Sequence, residues 1–164
     1  MPSFTVTSTD VTDGQALPLT QMSSVFGVPG GGDLSPQLSW SGAPAETRSY
    51  AVTMYDPDAP SGSGFRPRAV ADIPASVSEL PTGAAGSGEH LPAGAFHIPD
   101  DARLAHFIRG APPPGNRRRR YVIVVQAIDV EQAGKIGVQA DSPPAWLGFS
   151  INSGGHLLDR AAII

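Results

Sequence analysis

Apolar and polar positions alternate most regularly over residues 49–56. There Tyr50, Val52 and Met54 interleave with Ala51, Thr53 and Tyr55. These side chains are mostly β-branched or aromatic and suit a half-buried pleated surface, so the stretch is predicted to be a strand. The same period of two predicts strands over 3–9, 35–40 and 68–74, with a further short one over 21–26. Residues 120–129 form the most apolar run and are expected at the centre of a sheet. Between 100 and 108 one helical turn is expected. Ser142, as an N-cap followed by prolines, predicts a short helix that Gly154-Gly155 interrupts, and a second short helix is expected over 156–161. Residues 76–92 make a long Gly/Ser/Ala-rich connection of the kind that is usually functional or mobile.

Composition supports the β reading. The 164 residues include 19 glycines and 17 prolines, which favours many turns over a helical bundle. Neither repeats nor a composition shift divides the chain, so one domain over residues 1–164 is expected. With no cysteine, disulfide and thiolate chemistry are excluded. No apolar run has the length of a membrane span, and a basic-then-apolar leader is absent at the start; a soluble cytoplasmic protein is expected. The four histidines (His90, His97, His106, His156) form no metal-ligand pattern. A phosphate loop and a nucleophile elbow are lacking too, so neither metal nor cofactor is expected.

Charge and turn chemistry converge on one region. Net charge is −4, yet Arg66, Arg68, Arg109 and residues 117–120 supply most of the 11 basic residues. A single cationic locus on an acidic chain points to a local anion site and away from a nucleic-acid face, which needs a broad basic stripe. The predicted strand 49–56 runs directly into Asp56-Pro-Asp-Ala-Pro60. Pro57 and Pro60 fix φ there, which holds two carboxylates at a rigid strand end.

Trp40-Ser-Gly-Ala-Pro44, Tyr55-Asp-Pro-Asp-Ala-Pro60 and Gly110-Ala-Pro-Pro-Pro-Gly115 with Arg120-Tyr121 together resemble the phosphatidylethanolamine-binding protein family. That family includes Raf kinase inhibitor protein, and the bacterial branch is the most similar. The resemblance runs from about Phe4 to the end of the chain. It implies a Greek-key antiparallel β-sandwich with a few short peripheral helices, and one small pocket for phosphate, phosphoryl head groups or similar anions. Asp56, Asp58, Ala59 and Pro60 would form one wall of it, Ala111, Pro112 and Pro113 another, with Arg120 and Tyr121 adjacent.

Two departures from the bacterial pattern stand out. Gly-Phe-Trp-His-Trp is replaced by Gly64-Phe65-Arg66-Pro67-Arg68, and His-Arg-Tyr by Arg119-Arg120-Tyr121. Both usual pocket histidines are thereby exchanged, for Pro67 and Arg119. One reading is a permanently cationic pocket binding a small molecule or anion through Asp56, Asp58, Pro60, Arg66, Arg68, Ala111, Pro112, Arg119 and Tyr121. The other is an enzyme, a cyclase or isomerase of bacterial specialised metabolism, with Asp56, Asp58, Arg119 and Tyr121 catalytic. Regulation of a protein partner rests on the resemblance alone. Arg66 and Arg68, two apart on one strand, either both face the pocket or both miss it. Neither a nucleic-acid partner nor a membrane span is expected, and a homodimer stays open.

Overall fold

A computed structural model describes residues 3–24, 27–84, 90–104 and 118–164. Eight strands run in the order β1 (Thr5–Thr7), β2 (Leu38–Ser41), β3 (Ser49–Asp56), β4 (Phe65–Pro74), β5 (Glu79–Leu80), β6 (Phe96–Ile98), β7 (Val122–Ile128) and β8 (Leu157–Ile163); one α-helix, α1 (Pro144–Ser153), precedes β8. They form a three-stranded sheet ordered β1-β2-β5 and a five-stranded sheet ordered β6-β4-β3-β7-β8. Every pairing among the described residues is antiparallel.

The alternation along β3 has two destinations. Tyr50, Val52 and Met54 enter the core between the sheets, where they meet Leu38, Trp40 and Leu80 of the smaller sheet. Ala51 faces the other way, onto a second cluster that includes Leu147 and Ile151 of α1. The larger sheet is thus covered on both faces, by a sheet and by a helix. This is a β-sandwich with a peripheral helix, and its mainly antiparallel β architecture is the one expected.

The structure corrects several element assignments. β3, not the more apolar β7, holds the middle of the larger sheet, with β4 and β6 on one side of it and β7 and β8 on the other. That strand β8 occupies the residues expected to form a second helix. Ala161 and Ile163 alternate into the inter-sheet core, and pairing with β7 outweighs local helix preference. The expected strand at 21–26 is instead a 3₁₀ turn at Leu19–Gln21, with Val25 and Phe26 outside the described residues. Asp33 competes for this stretch by accepting hydrogen bonds from the Ser24 amide and hydroxyl. In place of a helical turn, residues 100–104 form a side-chain-capped turn. The Asp100 carboxylate accepts the amides of Ala102 and Leu104 at 2.8 and 2.9 Å. Residues 105–108 lie outside the described residues.

β4 starts earlier than expected, at Phe65, and carries two irregularities. At one, Ala71 and Asp72 together stand opposite Ala51, and Asp72 takes a φ of 57° while its carboxylate accepts the Ala133 amide at 2.7 Å. The other falls between the pairs Met54↔Arg68 and Asp56↔Phe65. Pro67 sits within it, where the ladder is already broken and a missing N–H costs little.

Candidate functional site

Ladder geometry brings the two motifs together. The β3–β7 register ends at Tyr55↔Val122, so the residues before Val122 run beside the turn after Tyr55. Asp56, 2 % exposed, accepts the Asp58 amide on one carboxylate oxygen at 3.0 Å. Its other oxygen faces Arg119 Nη1 at 3.5 Å, with side-chain exposures of 8 % for Arg119 and 3 % for Asp56. Burial pushes the Asp56 carboxyl above its ordinary range, and the Asp58 amide and the Arg119 cation only partly oppose this. Asp58 behaves in the opposite way. Its carboxylate takes the Arg120 amide at 2.8 Å and Nε at 3.0 Å on one oxygen, and Nη2 at 2.9 Å on the other. These hydrogen bonds pull its pKa down to about 2. One acid is therefore a brace held ionised, and the other is a carboxyl whose protonated form burial favours.

The turn that carries both acids is closed by its own side chains. Tyr55 Oη donates to the Ser63 carbonyl at 3.2 Å, and the Ser61 hydroxyl to that of Gly64. Gly64 has a φ of +75°, and a Cβ there would lie 2.5 Å from Tyr55 Oη, so this position is restricted to glycine.

A cavity of about 570 Å³ opens beside the pair, walled by Val11, Leu17, Met22, Ile123 and Ile163 with Tyr121, and completed by Arg118 to Arg120. Arg119 belongs both to this cavity and to the contact with Asp56. Asp56, Asp58 and Pro60 do not line it, and Pro60 is exposed in the turn. Tyr121 is half-buried against the inter-sheet core. The apolar wall from residues 11–17 was not anticipated, since no motif marks it and Val11 stands isolated among polar neighbours. Ala111, Pro112 and Pro113 of the expected second wall, together with Arg109 and Arg117, lie outside the described residues.

Arg66 and Arg68 go elsewhere, and they go together. Both line a separate cavity of about 240 Å³ with Thr53, Tyr55, Gln126 and Phe149, and none of Asp56, Asp58, Arg119 or Tyr121 borders it. His156 pairs with Asp129 at 2.8 Å at the start of β8 and does not cap a helix. Among the described residues no group of three His, Cys, Asp or Glu is placed to hold a metal ion, and no helix is long and apolar enough to cross a membrane.

The phosphatidylethanolamine-binding protein pattern matches residues 7–164. The chain belongs to that family. It is 41 % identical to the UPF0098 protein YbcL of Escherichia coli over 152 residues, covering 92 % of this chain and 81 % of that one. With YbhB of the same organism identity is 35 % over 156 residues, covering 95 % and 94 %. The crystal structure of E. coli YbcL, described as a new member of the mammalian family, superposes with a TM-score of 0.90 at 39 % identity, covering 99 % of this chain and 96 % of that one. A putative homologue from Chlamydia trachomatis shares the fold alone, with a TM-score of 0.74 at 23 % identity over 98 % of this chain and 94 % of that one. The bacterial branch is thereby the one this family member resembles.

Proposed function

We propose that this family member binds a small anion at the Asp56–Arg119 pair, with Arg119 as the receiving cation. One observation carries the reading. Arg119 is nearly buried and lines the cavity of about 570 Å³, yet among the described residues its guanidinium makes a single long hydrogen bond, 3.5 Å to Asp56. A guanidinium presents five donors in a planar fork, so most of its capacity is left for a phosphoryl, sulfate or carboxylate group. Asp58 supports it indirectly by fixing the neighbouring Arg120 main chain. While Asp56 is ionised it offsets the Arg119 charge; when it takes a proton, the site gains a positive charge and an O–H donor. Anion binding is then linked to proton uptake. The apolar walls supplied by Val11, Leu17 and Ile163 suit a ligand with a non-polar body attached to its anionic group.

Sulfate is the simplest probe. It should raise the midpoint of thermal unfolding of the wild-type protein in a saturable way, and Arg119→Gln should lose that rise. A wild-type protein indifferent to both sulfate and phosphate would remove the reading.

A second reading rests on the same pair. A buried carboxyl whose proton affinity is raised, beside a buried cation, is also the arrangement of a general base with an electrostatic clamp, as a cyclase or isomerase requires. It stands only where catalytic amounts of the protein consume a compound from a metabolite extract and Asp56→Asn stops the consumption.

A further inference from the structure

The five-stranded sheet has a second concavity on its helix-covered side. Thr53 and Tyr55 continue the face of β3 that Ala51 turns toward α1, and Gln126 stands opposite Ala51 in the ladder. With Arg66, Arg68 and Phe149 these residues enclose the cavity of about 240 Å³ described above. Hydrogen bonding inside it is incomplete in a complementary way. Gln126 is 6 % exposed, and its buried Oε1 accepts no hydrogen bond from any described residue. A buried amide oxygen without a donor is a costly feature that a bound group can relieve. Arg66 shows the converse. Its guanidinium lies over the Tyr55 ring at 4.8 Å and 3.7 Å from Asp101, too far for a hydrogen bond, so among the described residues its N–H donors are unspent.

The mouth is aromatic. Phe149 lines the cavity although it is 59 % exposed, and it stacks on Trp146 at 5.2 Å between ring centroids. Trp146, 44 % exposed, is tethered by its indole N–H to the Gly137 carbonyl at 2.9 Å. Large exposed aromatic side chains fixed in this way form a stacking edge. The volume of about 240 Å³ falls below the roughly 300–1,000 Å³ of ordinary drug-sized sites and suits a small ligand.

We propose that this cavity is a second binding site, independent of the Asp56–Arg119 site, for a small planar carboxylate that carries a hydrogen-bond donor. The carboxylate meets Arg66, in the planar fork geometry that suits it. The donor satisfies Gln126 Oε1. The flat body lies toward the exposed Phe149 edge, with the Arg66 guanidinium held in place over the Tyr55 ring.

The probe is 4-hydroxybenzoate, with its methyl ester as the uncharged control. Binding is read by calorimetry and by quenching of Trp146 fluorescence, the other tryptophan, Trp40, being 4 % exposed in the core. The acid should bind saturably and quench Trp146, while the ester binds about tenfold more weakly or worse. Arg66→Gln and Phe149→Ala alter partly exposed side chains and should keep wild-type thermal stability. Arg66→Gln should weaken the acid about tenfold, and Phe149→Ala should weaken acid and ester alike. The proposal fails if the acid gives no saturable signal in the millimolar range, if ester and acid bind equally, or if Arg66→Gln binds as the wild type does.

Discussion

Arg119→Gln is expected to destabilise the fold by about 3–5 kcal/mol at neutral pH, because it removes the cation from a carboxylate that is itself almost fully buried. Asp56 has 3 % of its side chain exposed and only the Asp58 amide as its other described partner. Glutamine keeps some of the volume and a donor, so the loss reports charge more than packing. The double variant Asp56→Asn/Arg119→Gln should recover most of that stability, since no uncompensated charge remains to be buried. Chemical denaturation of the four proteins in the cycle gives the coupling directly. The sign of the pH dependence is also determined. Asp56 has a folded pKa above its unfolded one, so its contribution favours the fold at low pH and fades as pH rises through the folded value. The cost of Arg119→Gln should therefore shrink on acidification. A single variant as stable as the wild type at neutral pH would show that the contact carries no charge energetics.

Leu147→Ala is expected to cost about 2–5 kcal/mol, the range for deleting a fully buried leucine. Leu147 and Ile151 are one helical turn apart, both 0 % exposed, and they form the stripe by which α1 covers the larger sheet. The variant should also loosen the cover of the smaller cavity, because Gly148 and Phe149 are carried on the same turn. Urea unfolding measures the stability change. A loss below about 1 kcal/mol would mean that the helix is held by its ends and not by this stripe.

The part of the fold that rests on period-two alternation was legible in the sequence, and the part decided by tertiary pairing was not. Residues 49–56 show one face to each side, and the structure uses both faces, one for each core. Residues 156–161 carry too few apolar positions to separate a helix from an edge strand; the free edge of β7 decides for the strand. The candidate site divides in the same way. The sharp Asp56-Pro-Asp-Ala-Pro60 turn is visible because proline and aspartate have strong local preferences. Alternation alone could not assign the arginines to a face, since the break in the β4 ladder around Pro67 disturbs it. Arg119 is the one that reaches Asp56, whereas Arg66 and Arg68 line the other cavity. The apolar wall from Val11 and Leu17 depends on where a loop lies, which no short-range pattern encodes.

Sulfate affinity measured as pH is lowered from neutral tests the central claim most directly, because sulfate stays fully ionised until the solution is more acidic than the ordinary carboxylate range. For the wild-type protein, affinity should rise as pH falls and Asp56 takes up its proton. In Asp56→Asn binding should be retained and the pH dependence lost, since the amide leaves Arg119 free at every pH. Wild-type affinity that is flat with pH, or a dependence that survives in Asp56→Asn, would contradict a binding site built on this pair.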